Sequence, residues 1–388
     1  MKSDKKKIIV FASTFPRWKN DTNPPFVYEL SKRLTDKFDI YVLTPNYPGA
    51  KEYEVMDKMK VHRFRYFFRK YETLAGSGGI LPTLNKNKWN YFKVPFFLLG
   101  EYLALRRLVK KVNPHLIHAH WIIPQGFVAY FLNSFVKVPY VVTTHGGDIF
   151  GLQGKFLTNI KKKVLGKAKR ISVVSNAIKR EIEEKIDPSL KIEVIPMGVD
   201  STLFNPNKKD PKLKKKYGIT GPFLLFVGRL TEKKGVKYLI EAMPEVIKKN
   251  PKTKLMIVGT GELEKELKDL TEKINMKDKV IFTGAIPNSE LPKYYATADI
   301  FIAPSIVAND GDREGLPVTL MEASASGTSI IASKFTSFEE KGVALINPLS
   351  KNSINLAIRN QIMNKNKVDY SKFDINFISK KYEEVLRK

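Results

Sequence analysis

The sequence predicts an α/β protein with two domains, each built on a parallel β-sheet. Its 388 residues suffice for two domains of ordinary size. Short apolar runs alternate with segments of helical spacing, which is typical of parallel sheets covered by helices on both faces. This alternation stops at residues 196–207, where Pro196, Gly198 and Pro206 indicate a hinge, and then starts again. We therefore expect domains at residues 1–200 and 201–370.

The predicted elements alternate between strand and helix along most of the chain. Strands are expected at residues 8–12, 40–43, 115–120, 140–144, 171–174, 192–195, 223–227, 255–258, 280–282, 300–302 and 329–332. Helices are expected at residues 26–34, 94–112, 176–185 with Ser175 as N-cap, 235–249, 262–274, 290–297 and 316–325. Ligands of such sheets bind beyond the carboxyl ends of the strands, so we expect the functional site there, in a cleft between the domains.

The composition excludes several classes of protein. Cysteine is absent, which excludes disulfides, thiolate metal sites and a cysteine nucleophile. Hydrophobic residues make up 43% of the chain and aromatic residues 11%, which argues against intrinsic disorder. The basic residues 1–7 precede only five apolar residues, fewer than a signal peptide needs. No apolar stretch approaches the about 18 residues of a membrane-spanning helix, so we expect a soluble, cytoplasmic protein.

The net charge of +28 requires an explanation, and most of it, +18, falls in residues 1–200. Residues 58–111 hold 13 basic side chains against two acids, Glu72 and Glu101, and residues 62–71 interleave cations with aromatic rings. Residues 151–180 hold nine basic side chains and no acid. This pattern favours contact with an anionic lipid surface, at the inner face of the plasma membrane. No helix-turn-helix, zinc-finger or RNP pattern supports nucleic acid, and a solvated Lys-rich surface is the alternative.

A strand, a turn and a helix suggest a diphosphate site in the second domain. Gly228 and Arg229 follow the strand at residues 223–227, and Lys233 and Lys234 precede the next helix. Helix N-termini and cations attract anions, although a structural turn with surface lysines has the same sequence. Gly259-Thr260-Gly261 repeats the turn after the next strand and also suits ordinary tight packing.

A nicotinamide cofactor is disfavoured. The third glycine of the dinucleotide fingerprint would fall at position 264, which is Glu264.

The strongest candidate for a ligand-binding site contains two acidic residues, Glu314 and Glu322. Glu314 lies in a loop after the strand at residues 300–302, and Gly315 and Pro317 suit a tight entry into a helix. Glu322 follows about two turns along that helix. Acids spaced in this way can contact opposite ends of one extended ligand, while the helix N-terminus binds its phosphates.

In the first domain, His145 follows the strand at residues 140–144 and precedes two glycines. It can therefore hydrogen-bond a ligand or transfer a proton. His118 and His120 lie on a neighbouring strand, where a buried, hydrogen-bonded role is favoured over catalysis. The three histidines do not establish a zinc site, since sequence proximity alone does not give convergent geometry.

Together these motifs resemble the retaining family-4 glycosyltransferases, over nearly the whole chain. The resemblance rests on Thr144-His145-Gly146-Gly147-Asp148, on Gly228-Arg229-Leu230 with Lys234-Gly235, and on Glu314-x7-Glu322. The loop at residues 303–315 also resembles bacterial exopolysaccharide enzymes of this type. The resemblance implies a GT-B fold, in which two Rossmann-like domains face a central cleft and a final helix at residues 371–388 packs back on the first domain.

The resemblance also implies an activity. It is the transfer of a sugar from a nucleotide-diphosphate sugar to a glycan or lipid-linked acceptor, with retention of the anomeric configuration, in cell-surface polysaccharide or glycolipid synthesis. The nucleotide-sugar is a substrate, and neither a cofactor nor a metal is expected.

The same resemblance assigns roles to single residues. His145, Arg229, Lys234 and Glu314 would act in catalysis, with Arg229 and Lys234 on the donor diphosphate. The nucleotide-sugar would contact Gly228, Gly259, Gly261, Ile286, Gly315, Leu316 and Glu322, with Glu322 on the ribose and the backbone at Ile286 on the base.

One loop departs from the family pattern. Many relatives carry a glycine-rich loop after the first strand, whereas residues 15–26 begin Phe15-Pro16-Arg17 and contain no glycine. The resemblance therefore says less about the acceptor contacts than about the donor contacts. We expect Arg17 and Asp148 on the acceptor side. Asp310 and Asp312 have the spacing of a metal-binding Asp-x-Asp motif but lie in the donor-sugar loop, which favours metal independence.

Two other interpretations remain open from the sequence. One is a GT-B nucleotide-sugar epimerase, and the other is a basic, non-enzymatic protein that binds membrane or nucleic acid.

Overall fold

The chain divides into two units, each built on one β-sheet. The computed structural model describes residues 5–18, 21, 25–75, 79–309, 311–338 and 340–387. Unit 1 comprises Met1–Met197 and Ile375–Lys388, and unit 2 comprises Gly198–Asp374. Each unit contains one sheet with helices, so the α/β fold class with two parallel sheets is confirmed.

Unit 1 is built on an eight-stranded sheet. Its strands are β1 (Lys7–Phe11), β2 (Asp39–Pro45), β3 (Tyr53–Met56), β4 (Met59–Phe64), β5 (Leu116–His120), β6 (Tyr140–Thr144), β7 (Arg170–Val173) and β8 (Ile192–Val194). The order across the sheet is β3-β4-β2-β1-β5-β6-β7-β8, and the paired strands are parallel except β3 with β4. The helices in the first part of the chain are α1 (Phe26–Leu34), α2 (Ile80–Lys86), α3 (Val94–Val112), α4 (Phe127–Val136), α5 (Gly147–Phe150), α6 (Lys155–Lys167) and α7 (Asn176–Lys185).

The central strands of unit 1 are apolar throughout because both faces of the sheet are covered. Every residue of β5 and β6 is buried. The predicted cap at Ser175 is also confirmed, since its side chain accepts a hydrogen bond from the backbone N–H of Ile178 at 3.4 Å.

The hairpin of β3 and β4 was not predicted. Its turn is Asp57-Lys58, with φ values of +43° and +69°, and this pair lacks the glycine that marks most such turns. The hairpin corrects the interpretation of residues 62–71 as a continuous lipid-facing surface. Arg63 is buried and pairs with Glu54 at 2.7 Å, and Tyr66 is buried as well.

Unit 2 contains a six-stranded parallel sheet. Its strands are β9 (Phe223–Val227), β10 (Lys254–Val258), β11 (Val280–Gly284), β12 (Ile300–Ala303), β13 (Ser329–Ser333) and β14 (Ala344–Ile346). Its helices are α8 (Pro211–Lys216), α9 (Val236–Lys249), α10 (Glu264–Lys273), α11 (Leu291–Thr297), α12 (Val318–Ala325) and α13 (Lys351–Met363). The strand order is β11-β10-β9-β12-β13-β14, so the direction of the chain across the sheet reverses between β9 and β12. Ligands of such sheets bind where the order reverses.

The last helix, α14 (Ile375–Arg387), belongs to unit 1. Its Tyr382 is fully buried, and the phenol donates a hydrogen bond to the carbonyl oxygen of Ile195 at 3.4 Å. Within the described residues, no helix combines the length and the apolar character that a membrane crossing requires.

Candidate functional site

The candidate site of unit 2 lies at the carboxyl ends of β9 and β12, which are paired in the sheet. Gly228 and Arg229 follow β9, and the loop that carries Glu314 follows β12. The predicted residues of the second domain therefore gather around the reversal of the strand order.

Two of the predicted glycines serve backbone packing. Gly259 has a φ of +132°, and a Cβ there would lie 1.9 Å from the carbonyl oxygen of Gly228. A Cβ at Gly261 would lie 2.3 Å from the carbonyl oxygen of Leu230. The geometry thus favours the tight-turn interpretation of Gly259-Thr260-Gly261, and contact of these glycines with a ligand stays a prediction.

A cluster of ion pairs joins the turn after β9 to the loop after β12. The Nζ of Lys234 lies 3.1 Å from Oε1 of Glu314, and the Nζ of Lys233 lies 2.9 Å from Oδ2 of Asp312. Lys233 is also 3.9 Å from Glu314. The sequence identified Lys233, Lys234 and Glu314 but not the ion pair of Lys233 with Asp312, because a pairing between distant loops has no local signal. Asp310 lies outside the described residues.

The charges of this cluster determine its protonation. Burial opposes ionisation of Glu314, but the neighbouring charges of Lys234, Lys233 and Arg229 outweigh it and hold the pKa of Glu314 at about 2. Burial lowers the pKa of Lys234, against the attraction of Glu314. Glu314 is therefore a carboxylate throughout the neutral range.

Backbone contacts hold the loop against the same turn. Gly235 has a φ of +65°, and a Cβ there would lie 2.0 Å from the carbonyl oxygen of Pro304. The N–H of Ile306 donates to the carbonyl oxygen of Lys233 at 2.8 Å, and the N–H of Asn309 donates to the Glu232 carboxylate at 3.3 Å. The segment Glu232–Lys234 forms a 3₁₀ turn. Lys233 and Lys234 thus directly precede α9, which begins at Val236, as the sequence predicted.

The loop after β12 leads into α12 two residues later than predicted. Pro317 is the N-cap of α12, and the helix begins at Val318. Gly315 and Leu316 therefore precede the helix rather than open it, because proline cannot continue a hydrogen-bonded turn begun before it.

Arg229 is half-buried, and the described part of the chain offers it no carboxylate at ion-pair distance.

Glu322 lies on α12 and is oriented by a tyrosine that the sequence did not reveal. The phenol of Tyr295, which is fully buried on α11, donates a hydrogen bond to Oε2 of Glu322 at 2.7 Å. Burial raises the pKa of Glu322 to about 7, although this hydrogen bond opposes the shift. Glu322 therefore changes charge near neutral pH.

Ile286 is half-buried in the loop that follows β11. The carbonyl oxygen of Gly284, at the end of that strand, accepts a hydrogen bond from the N–H of Gly259 at 2.9 Å. This bond joins the loop of Ile286 to the turn of the two glycines.

In unit 1, His145 stacks in a group of rings at the carboxyl end of β6. Its ring lies 5.2 Å from that of His120, 4.7 Å from Trp121 and 5.1 Å from Phe26. Nε2 of His145 and Nδ1 of His120 are 3.0 Å apart and share a hydrogen bond. Burial lowers the pKa of both histidines, that of His145 to about 3, so both rings are neutral at pH 7.

The structure agrees with the buried, hydrogen-bonded role that the sequence predicted for His118 and His120. His118 and His120 are buried, and Nε2 of His118 shares a hydrogen bond with the Thr143 hydroxyl at 2.8 Å. Within the described ranges, no group of three or more metal-ligating side chains comes together.

Asp148 lies beneath the His145 loop. Its buried carboxylate accepts hydrogen bonds from the N–H of Ile122 and the hydroxyl of Thr144, both at 2.6 Å, and from the N–H of Gly146 at 3.3 Å. These bonds fix the backbone on both sides of His145. The structure thus gives Asp148 a positioning role, and direct contact with an acceptor stays a prediction.

Arg17 lies in the loop after β1. Its guanidinium forms a bidentate pair with Asp21, with distances of 2.9 Å and 2.6 Å, and stacks 4.5 Å from the ring of Trp18 and 4.6 Å from that of Tyr47. These contacts hold the Arg17 side chain in one orientation.

Two family sequence models match this chain. The model "Glycosyltransferase Family 4" matches residues 25–203, and "Glycosyl transferases group 1" matches residues 209–345. The chain belongs to the family-4 glycosyltransferases. The predicted family and its GT-B fold are thereby confirmed.

This chain aligns with its curated family-4 relatives over only part of their length. It is 31% identical over 246 residues to the GDP-mannose-dependent alpha-(1-6)-phosphatidylinositol monomannoside mannosyltransferase of Mycolicibacterium smegmatis, covering 61% of this chain and 64% of the relative. It is 38% identical over 154 residues to the amylovoran biosynthesis glycosyltransferase AmsK of Erwinia amylovora, covering 39% of this chain and 36% of the relative.

Solved structures agree in fold over almost the whole chain. The sucrose-phosphate synthase of Thermosynechococcus elongatus superposes with a TM-score of 0.79 at 18% identity, covering 99% of this chain and 98% of that one. The alpha,alpha-trehalose 6-phosphate synthase of Burkholderia multivorans gives 0.74 at 14% identity, with the same coverage.

Proposed function

We propose that this chain is a retaining glycosyltransferase that moves a sugar from a nucleoside diphosphate sugar to a glycan or a lipid-linked acceptor. The observation that carries the proposal is the cluster of Arg229, Lys233, Lys234 and Glu314 at the reversal of the strand order in unit 2. Concentrated positive charge binds a diphosphate, and an ionised carboxylate accepts hydrogen bonds from sugar hydroxyls.

Each residue of the cluster has a proposed role. Arg229 and Lys234 bind the diphosphate and stabilise the charge that develops on it as the glycosidic bond breaks. The Glu314 carboxylate accepts hydrogen bonds from the donor sugar, with the backbone N–H groups of Gly315 and Leu316 on sugar and phosphate. Glu322 binds the ribose hydroxyls.

The remaining predicted residues complete the proposal. The backbone at Ile286 binds the base, next to the turn of Gly228, Gly259 and Gly261, and His145 contacts the reacting sugar. Neutral His145 can donate or accept a hydrogen bond there. Arg17 acts on the acceptor side.

The proposed acceptor is attached to lipid and is met at the inner face of the plasma membrane. The relative from M. smegmatis is named for a phosphatidylinositol monomannoside acceptor, and the AmsK relative for amylovoran biosynthesis. These names support an acceptor from glycolipid or surface-polysaccharide synthesis.

The test is a screen of UDP- and GDP-sugars for thermal stabilisation, followed by transfer assays with the donor that binds. A ligand that binds only the native state raises its apparent stability. Glu314→Gln and Arg229→Ala should lower kcat/KM by about 100-fold or more, while circular dichroism stays unchanged. Lys248→Ala, an exposed change on α9, is the matched control.

Full transfer activity in both variants would overturn the proposed site. Product analysis without an acceptor distinguishes an epimerase, which would release an isomerised nucleotide-sugar. A non-enzymatic protein would neither transfer nor hydrolyse any donor in the screen.

A further inference from the structure

Four exposed aromatic side chains of unit 1 and the half-buried Phe67 form one surface patch. The aromatic patch consists of Phe67, Phe68, Trp89, Phe92 and Phe96. Trp89 is 85% exposed, Phe68 72% and Phe92 65%. Burial in the unit therefore does not explain these rings.

The rings of the aromatic patch contact each other rather than being scattered. The ring of Phe67 lies 5.1 Å from Phe68, 5.5 Å from Phe96 and 6.5 Å from Phe92, and Phe92 lies 5.4 Å from Phe96. Trp89 and Phe92 line the same surface hollow. Contiguous exposed apolar surface of this kind is typical of an interaction site.

The apolar surface continues along α3 and α4. Leu99, one turn after Phe96 on α3, is 55% exposed. Tyr102, a further three residues along, has its ring 5.4 Å from Phe131 of α4, which in turn lies 5.2 Å from Phe135. Phe131 and Phe135 are 46% and 67% exposed.

Most of the charges beside the aromatic patch are positive, and the exposed acid Glu52 is paired with Arg69 and Arg65. Both acids of residues 58–111, Glu72 and Glu101, are fully buried. The Glu72 carboxylate accepts hydrogen bonds from Asn46 and Arg65, and the carboxyl group of Glu101 accepts one from Gln125. Exposed lysines remain at the surface, among them Lys70, Lys86 and Lys88. In the described part of this segment, every exposed charge is therefore positive.

We propose that the aromatic patch and its lysines are a docking surface for a bilayer that contains anionic phospholipid. Aromatic rings enter the interfacial region of a bilayer, and lysine ammonium groups bind the phosphates of its headgroups. A second copy of this chain is a poorer occupant, because a symmetric contact would bring the same lysines against each other. The surface acts independently of the proposed transfer reaction.

The experiment is flotation of the full chain with vesicles, without donor or acceptor. Vesicles of phosphatidylcholine alone are compared with vesicles of phosphatidylcholine and phosphatidylglycerol. The wild type should bind the anionic vesicles more strongly, and added salt should weaken this binding. Trp89→Ala with Phe92→Ala should reduce it by about tenfold or more. Lys86→Glu with Lys88→Glu should abolish the preference for the anionic vesicles.

Two control variants carry the same types of change on unit 2. Leu356→Ala removes an exposed apolar side chain of α13, and Lys248→Glu reverses an exposed charge of α9. Both should bind as the wild type does. All the changed side chains are exposed, so unchanged circular dichroism is expected for each variant.

Equal vesicle binding by the double aromatic variant would overturn the proposal. So would a dimer in sedimentation velocity without lipid that the aromatic variant loses, since this would assign the patch to a second copy. Salt-dependent binding of RNA in place of vesicles would overturn it as well. Loss of transfer activity with intact vesicle binding would count only against the proposed function.

Discussion

The ammonium of Lys233 lies 2.9 Å from Oδ2 of Asp312, and this ion pair ties the turn after β9 to the loop after β12. Both side chains are largely withdrawn from solvent, with 16% and 22% of their surface exposed. Burial opposes the charge of Lys233, but Glu314 and Asp312 outweigh it and raise the lysine pKa. The pair thus holds the loop that carries Glu314.

Asp312→Asn should loosen that loop without removing a residue from the proposed donor contacts. We expect the donor KM to rise by about tenfold, with the acceptor KM unchanged, because one partner of a half-buried pair loses its charge. Steady-state kinetics with each substrate varied in turn measures this split. Glu272→Gln, which breaks the more exposed pair with Lys277, is the control. Equal changes in both KM values would contradict the positioning role of Asp312.

Donor affinity should depend on pH through Glu322. Burial raises its pKa to about 7 in the free protein, so the carboxylate that accepts ribose hydrogen bonds forms as the pH rises through 7. Affinity should therefore increase by up to about tenfold from pH 6 to pH 8. Calorimetric titration of donor at several pH values measures this slope. Glu322→Gln cannot ionise and should have no slope; a slope as steep as that of the wild type would assign the titration to another group.

The stability of unit 1 should fall as the pH rises from about 4.5 to about 8, because of Glu101. Burial raises its pKa to about 8, against the hydrogen bond from Gln125, whereas the ordinary value is 4.5. The folded state holds this proton more tightly than the unfolded state, so its contribution to stability is lost as the pH rises from 4.5 to 8.

Glu101→Gln keeps the shape and the acceptor oxygen without the charge. We expect a gain of up to about 5 kcal/mol at pH 9 and almost none at pH 4, seen as a shift in the apparent Tm. Glu384→Gln, at an exposed position of α14, is the control. A shift of the same size at both pH values would show that packing, rather than ionisation, carries the effect.

His120 should support His145 through their shared hydrogen bond of 3.0 Å. His120→Ala removes this partner, so we expect kcat to fall by about tenfold while the affinity for the donor nucleotide stays the same. His120→Asn, whose amide can occupy the position of Nδ1, should restore most of the loss. Failure of this rescue together with a lower Tm would indicate a role in packing alone.

The sequence determined much of the local structure. The strands at β1, β5, β6 and β9 and the helices α1 and α3 are within one residue of their predicted positions, since buried parallel strands are unbroken apolar runs. The hairpin of β3 and β4 was not predicted, because its turn lacks the usual glycine. The loop and turn residues of the site were found by their glycines, prolines and charges.

By itself the sequence thus determined the alternation of strands and helices, the family and the size of the positive charge. Only the tertiary structure decided which charged groups are satisfied inside the protein. It buries Arg63, Glu72 and Glu101, which moves the proposed lipid-docking surface from residues 62–71 alone toward Trp89 and Phe92. It also pairs Lys233 with Asp312 and Tyr295 with Glu322. Burial and pairing depend on segments that are distant in the chain, and no local pattern of residues records them.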